Sequence, residues 1–225
     1  MTRTLDPPIT EQAADVDRVW DLFLYLGYAV FAFIAVLMLW VIIRYRRRND
    51  RMPHQKHYNI PMEVAYTTIP LAVVLGLFAV TFVNVAATEE VAADPDLVVD
   101  VTAFQWQWQF EYPDSGVTII GGAGSDIPEL VLPAESTVLF RLESLDVIHS
   151  FWITAFRFKR DVIPGRISEF SVDIGDDAGE YPNAGVCAEY CGLDHAYMQF
   201  SVRVLPPDEF AAWLDRQNEQ NGGDT

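Results

Sequence analysis

With 225 residues and a formal net charge of −17, the chain has room for one domain of ordinary size plus something extra. The acidity repels phosphate backbones and excludes nucleic acid as a partner. No internal repeat, P-loop, Gly-x-Gly-x-x-Gly or Ser/His/Asp arrangement is present, and apolar residues are segregated into runs rather than blended.

Leu22 to Ile43 contains no charged residue, and neither does Val64 to Ala87. Each run can cross a hydrocarbon core of about 30 Å, which takes about 20 helical residues. A cleavable signal peptide fits the first run poorly, because its apolar region is only about 7–15 residues and its positive flank precedes that region. Here Arg44, Arg46, Arg47, Arg48, Arg51 and Lys56 follow the run, opposed only by Asp50 before Glu63. The sequence therefore predicts a two-helix transmembrane hairpin over 21–88 with a basic loop over 44–62. The segment over 1–20 runs into the first span with Asp6, Glu11, Asp15, Asp17 and Asp21 against Arg3 and Arg18. Positive loops stay cytoplasmic. The N-terminal segment and everything from 89 to 225 are thus expected outside, and the loop with His54 and His57 inside. Trp20, Trp40 and Tyr45 sit near the ends of the first span, as interface aromatics do.

The second span opens with Pro61-Met-Glu63 and carries Pro70. Glu63 has two readings: a carboxylate complementing the helix dipole, or an acid at a proton-uptake surface. Pro70 removes one backbone donor, which Thr67, Thr68 or a bundle partner can offset.

After a short acidic linker, Leu97, Val99 and Val101 alternate with smaller or polar residues. Phe104 to Tyr112 follows as an unbroken alternation of aromatic and polar residues, read as a strand with one aromatic core face; a single exposed indole there would serve as a docking and electron-input point. Further strands are predicted at 117–120, 137–143, 147–153, 156–163, 167–174 and 199–205. Turns are predicted at Pro113–Gly116, Gly121-Gly122, Pro133–Ser136, Pro164-Gly165 and Gly175–Gly179. Short strands at this spacing indicate a β-sandwich or barrel. A C-terminal helix starts near Pro207-Asp208 and buries Phe210, Trp213 and Leu214, and the tail from Gln217 is expected to fray.

The outer part carries 25 Asp and Glu against 7 Lys and Arg, a net −18. Such a surface either steers a basic partner or solvates the protein in a salt-rich medium. At about 1 M salt the Debye length is only about 3 Å, so self-repulsion is screened. With Lys only at Lys56 and Lys159, the second reading predicts a halophilic host.

The chemistry is concentrated in Cys187-Ala-Glu189-Tyr-Cys191-Gly-Leu-Asp-His195-Ala-Tyr-Met198, which holds the chain's two cysteines. Thiolate, imidazole and thioether are soft or borderline donors that favour copper over calcium or magnesium. A structural Cys187–Cys191 disulfide and half of a zinc site are the competing readings. Structural zinc takes four Cys or His ligands, which would leave Met198 idle, and paired cysteines in an oxidising compartment cross-link unless a metal holds them. With His54 and His57 across the membrane, His149 is the partner left for His195. Two thiolates are one too many for a blue-copper centre of two His, one Cys and a weak Met. They can instead bridge two coppers, each with one imidazole, with Met198 and the Glu189 backbone carbonyl as weak axial donors.

On these residues the chain resembles subunit II of the haem–copper respiratory oxidases, the cytochrome c oxidase type with a dinuclear copper-A centre. The resemblance covers nearly the whole chain. It rests on Cys187-x-Glu189-x-Cys191-Gly-x-x-His195-x-x-Met198, Asp146-Val-Ile-His149-Ser-Phe-Trp152 and Lys159-x-Asp161-x-x-Pro164-Gly165-Arg166. It implies a transmembrane hairpin followed by an all-β cupredoxin-like domain. By that similarity two copper ions are held by His149, Cys187, Cys191, His195, Met198 and the Glu189 carbonyl. The Glu189 carboxylate would reach a magnesium at the boundary with subunit I. Trp106 falls where the family takes in electrons, Glu63 where it places the acid of a proton path, and Asp146 is a donor-docking candidate. Tyr66, Thr154 and Phe104 depart from the usual residues without removing a ligand.

The function so implied is electron acceptance from an external carrier and transfer to haem in subunit I, with oxygen reduction coupled to proton pumping. Subunit I, subunit III, membrane lipid, and cytochrome c or a small blue-copper protein as donor are the implied partners. A structural oxidase subunit without copper and the copper-A subunit of a nitric-oxide-reducing relative are the alternatives.

Overall fold

The computed structural model describes residues 7–47, 56–123 and 127–222; Arg3, Asp6, Arg48, Asp50, Arg51 and His54, named above, lie outside the described residues. The chain divides into two compact units, one over Asp17–Val85 and one joining the N-terminal residues through Val16 with Ala86 onward.

The first unit is helical. Helix α1 (Glu11–Arg44) and helix α2 (Ile60–Thr88) are both long and apolar enough to cross a membrane. No residue of α2 is buried within the protein, as suits a helix whose apolar surface meets lipid. Asn59 caps α2: its Oδ1 accepts from Met62 N at 3.4 Å, while Glu63 Oε1 accepts from Asn59 N at 3.0 Å. The pair closes a reciprocal cap that satisfies backbone donors at the helix start. Pro70 leaves the Tyr66 carbonyl without its usual donor. The Thr67 and Thr68 hydroxyls do not compensate there, because they donate to the Glu63 and Val64 carbonyls at 2.8 and 2.7 Å.

The second unit is a two-sheet sandwich. Among the described residues its strands are β1 (Leu97–Phe104), β2 (Gln107–Tyr112), β3 (Val117–Gly122), β4 (Glu129–Pro133), β5 (Ser136–Ser144), β6 (His149–Ile153), β7 (Phe158–Val162), β8 (Ser168–Ile174), β9 (Gly179–Cys187) and β10 (Gln199–Leu205). One sheet runs β3-β2-β1-β5-β8 and the other β4-β10-β9-β6-β7. β1 lies parallel to β5 and β4 parallel to β10, while the remaining neighbours are antiparallel. The sandwich is the all-β domain expected from the period-2 patterns.

The aromatic stretch departs from expectation. It is not one strand: the chain turns at Gln105-Trp106, and β1 and β2 pair antiparallel with Phe104 opposite Gln107. Trp108, Phe110 and Tyr112 face the core, and Trp106 is left half-buried in the turn. Gly121-Gly122 is the end of β3 rather than a turn. Gly122 (φ 152°) pairs with Gln107 at a spot where a Cβ would lie 2.5 Å from the Trp106 carbonyl oxygen. Strands β4 and β9 were not anticipated, and helix α3 (Pro207–Gly222) continues past the point where fraying was expected.

Between the sheets lies an aromatic floor. Phe151 and Phe200 stack with ring centroids 5.0 Å apart, Phe140 and Phe170 stack at 5.0 Å, and Trp108 meets Phe151 and Phe200 edge-on at 5.6 Å each. Each such pair contributes about 0.5–1.5 kcal/mol beyond its buried area, so the floor resists movement. At the other end α3 lays Phe210 and Trp213 against Tyr112. The N-terminal residues also join this unit. Ile9 is buried between the Ala155 carbonyl and Gly175 N–H, and the Gln12 amide makes two hydrogen bonds to Asp173.

Candidate metal centre

The antiparallel pairing of β6 with β9 sets Phe151 opposite Cys187, so the start of one strand and the end of the other meet at one end of the sandwich. His149 and Cys187 are therefore carried by the sheet itself. The 187–198 connection then leaves β9 and returns into β10. Cys187 N donates to the Met198 carbonyl at 3.0 Å and closes the connection at its base, and Ala188 N donates to the Ser150 carbonyl at 2.9 Å. A single helical turn at His195–Tyr197 presents His195 and delivers Met198 to the core.

The structure brings all the soft donors predicted from sequence together. Cys187 Sγ and Cys191 Sγ are 3.8 Å apart and both cysteines are free, beyond the ~2.05 Å of a disulfide. His149 Nδ1 lies 3.8 Å from Cys187 Sγ, and His195 Nδ1 lies 3.7 Å from Cys191 Sγ. Met198 Sδ is 3.8 Å from Cys191 Sγ, and the Glu189 carbonyl oxygen is 3.2 Å from Cys187 Sγ. The ligand atoms of His149, Cys187 and Cys191 all lie within 4.8 Å of one another. His195 stands outside that trio, so one imidazole flanks each end of the sulfur pair.

These distances fit a shared metal. Two sulfurs bound at about 2.3 Å with a tetrahedral angle lie about 3.8 Å apart, and a sulfur and an imidazole nitrogen about 3.6 Å. His149 and Met198 are fully buried and both cysteines nearly so, while His195 is half-buried at the loop side of the site.

Electrostatics point the same way. Burial alone would raise the Cys187 thiol, but hydrogen bonds from His149 and from the backbone of Ser150 and Glu189, with His195, bring it below its ordinary value. Burial and the neighbouring Cys187 thiolate push the Cys191 thiol above its own. The pair thus gives up its first proton readily and holds the second, as like charges in close contact do. A cation between the sulfurs removes that conflict. His149 is destabilised as a cation by burial, yet its bonds to Cys187 and Asp146 outweigh this and raise its pKa.

Asp146 Oδ1 lies 2.9 Å from His149 Nε2 and accepts from Val147 N at 2.6 Å, while Oδ2 accepts from Gln105 N at 2.7 Å. Burial would raise its carboxyl, but these bonds hold it below the usual range. Trp106 reaches the centre directly: its Nε1 donates to the Cys191 carbonyl at 3.2 Å, beside Gln105 Nε2 at 2.7 Å. The approach requires Gly192 (φ 123°), where a Cβ would lie 3.1 Å from Gln105 Nε2. The Glu189 side chain is exposed, and Glu63 sits in the helical unit as part of the α2 cap.

Two residues were missed from sequence. Trp108 lies under the site, edge-on to His149 at 6.2 Å with its Nε1 3.4 Å from the Met198 carbonyl oxygen. Gln105 holds the Cys191 carbonyl. Aromatic alternation marked Trp108 only as core, and nothing local marked Gln105.

Residues 125–205 match the family described as cytochrome C oxidase subunit II, periplasmic domain, and residues 4–85 match its transmembrane domain. A probable cytochrome c oxidase subunit 2 of Streptomyces avermitilis is 34% identical over 92% of this chain and 76% of its own length. Another, of Nocardia farcinica, is 30% identical over 93% of this chain and 72% of its own. The crystal structure of the periplasmic domain of subunit II of cytochrome oxidase of Bradyrhizobium japonicum covers 56% of this chain and 96% of that one, at 32% identity and a TM-score of 0.51. With two membrane-spanning helices, a cupredoxin-like sandwich and both halves matched, this chain belongs to the cytochrome c oxidase subunit II family.

Proposed function

We propose that this chain is the electron-accepting subunit of a terminal respiratory oxidase. It takes single electrons from an external carrier at a dinuclear copper-A site and passes them to haem in subunit I, where oxygen is reduced and protons are pumped. The observation that carries this reading is the sulfur pair at 3.8 Å with one imidazole Nδ1 beside each sulfur. His149, Cys187, Cys191, His195, Met198 and the Glu189 carbonyl would hold two coppers, which supply one-electron storage shared between two metals. The chain's own part is to keep that store dry and rigid. The buried strand ends fix His149 and Cys187, the aromatic floor limits displacement, and Met198 closes the pocket from below. Little has to move when charge changes.

Trp106 is the proposed electron-input residue, since its half-buried ring is one hydrogen bond from the Cys191 carbonyl. The exposed Glu189 carboxylate suits a magnesium at the subunit I boundary, a hard-ligand role. Subunit III is a further proposed partner, and either cytochrome c or a small blue-copper protein is the donor. In this reading the basic loop over 44–62 would lie inside, and the N-terminal segment and the sandwich outside, where the acidic surface would suit a halophilic medium. The end of α2 bearing Glu63 would open a proton path, although its carboxylate also caps the helix.

In the assembled oxidase, Trp106→Phe should slow reduction by the donor at least tenfold, leaving oxygen consumption from an artificial reductant of the copper site intact. Unchanged donor kinetics would remove Trp106 from the path. Full oxygen consumption from the donor in a Cys187→Ser oxidase would overturn the electron-accepting role.

A further inference from the structure

Asp146, the donor-docking candidate, is exposed at the surface. Its two oxygens also meet three donors from two parts of the chain. Oδ1 meets His149 Nε2 at 2.9 Å and Val147 N at 2.6 Å; Oδ2 meets Gln105 N at 2.7 Å, 41 residues away in sequence. Leu145 N donates to the Ala103 carbonyl at 3.0 Å and seats the same loop beside the end of β1.

We infer that Asp146 is a positioning residue whose single carboxylate fixes the His149 ring and the Gln105-Trp106 turn to the metal centre as one unit. On the His149 side, an Nε2–H donated to a carboxylate leaves the Nδ1 lone pair for the metal, and Nδ1 is the nitrogen that faces Cys187 Sγ. On the other side, the Gln105 amide anchors the turn, and that turn sends the Gln105 side chain and the Trp106 indole to the Cys191 carbonyl. The contacts form a closed circuit: His149, Asp146, Gln105-Trp106, Cys191, Cys187 and back to His149. One acid thus sets both the orientation of a ligand and the seating of the electron-input ring. The inference rests on the copper-A reading for its metal arm only; the hydrogen bond to Gln105 stands without metal.

Asparagine is the informative replacement. It keeps the volume but offers one acceptor and one NH2 in place of two acceptors, so either His149 Nε2–H or Gln105 N–H loses its partner. The full-length wild type, Asp146→Asn and Asp146→Glu are compared in detergent without any donor protein. One arm reads copper retention against a chelator and the electron paramagnetic spectrum of the loaded chain. The other reads hydrogen exchange of the Gln105 backbone amide in the metal-free chain. Asp146→Asn should retain copper about 10–100-fold less well, as loss of an outer partner of a ligand histidine does, with altered hyperfine splitting and faster Gln105 exchange. Asp146→Glu should restore part of each. Unchanged retention, spectrum and exchange in Asp146→Asn would overturn the inference, because a docking acid moves none of them. If the wild type itself takes up no copper pair, the copper reading fails; Gln105 exchange then decides the turn-holding role by itself, faster exchange supporting it and equal exchange overturning it.

Discussion

The two ends of the sulfur pair are built differently. His149 and Cys187 stand on paired strands, with Phe151 opposite Cys187 in the ladder and Asp146 behind the imidazole. Cys191 and His195 stand on a loop closed at its base by Cys187 N–H to the Met198 carbonyl, with Leu193 84% and Tyr197 70% exposed around them. The first end is preorganised by the sheet; the second is held by a few backbone bonds and by the Gln105 and Trp106 side chains that donate to the Cys191 carbonyl. One end of the pair is thus carried by the sheet and the other by a loop docked against the Gln105-Trp106 turn.

The largest effect comes from breaking the strand-built end. A Cβ at Gly185, two residues before Cys187, would overlap the Phe200 ring, whose stack on Phe151 leaves it nowhere to go. Gly185→Ala should cost more than about 3 kcal/mol, at the upper end of overpacking penalties, and chemical denaturation of the full-length chain would show it. A loss below about 0.5 kcal/mol would mean the floor is softer than described.

A paired substitution separates the two ends in the metal-free chain. His149→Ala removes a fully buried ring and leaves Asp146 without that partner, which should cost about 2–4 kcal/mol. His195→Ala removes a half-buried ring from a loop and should stay within about 0.5 kcal/mol. Equal losses would erase the distinction.

The far end of the sandwich supplies a control through pH. Tyr112 is buried, and burial raises its hydroxyl far above the ordinary value of 10.0, although its bond to the Val131 backbone works the other way. In the unfolded chain the same hydroxyl ionises near its ordinary value. Its stabilising share is therefore complete below about pH 10 and falls above it by about 1.4 kcal/mol per pH unit. Tyr112→Phe should be less stable at neutral pH yet lose this alkaline slope. Retention of the slope would assign it to another group.

The smallest expected effect lies at Gly192. Alanine there must adopt a positive φ and press on Gln105 and Trp106. We expect a cost of about 1 kcal/mol and a shift in Trp106 emission, measured against a Trp106→Phe background. An unchanged spectrum would show that the turn has slack.

Much of this was legible from residues. Period-2 alternation located most strands, since a half-buried strand must alternate, and the twelve-residue donor loop needed no long-range knowledge. His149 followed from the expectation that His54 and His57 lie across the membrane from the cysteines. What stayed hidden was written in residues that usually mean something else. β9 contains Gly179, Pro182, Asn183 and Gly185, all turn-formers, yet it pairs on both sides. A shift in register opposite Phe200 and Val202 accommodates Pro182 and Asn183, and Asn183 (φ 54°) sends its N–H to Ser201 Oγ. β4 is a continuous apolar run, Leu130 to Leu132, buried on both faces, so it carries no alternation. Asp146 gave only its spacing to His149; its contact with Gln105 depends on how β1 and β5 pair, which no local pattern encodes.

The central claim is that two thiolates 3.8 Å apart serve two metals rather than one. It is tested most directly by counting copper in the purified full-length chain and recording its paramagnetic spectrum. The account predicts two coppers per chain and the hyperfine pattern of one electron shared between two copper nuclei. A single metal per chain, or a Cys187–Cys191 disulfide persisting in the loaded protein, would contradict it.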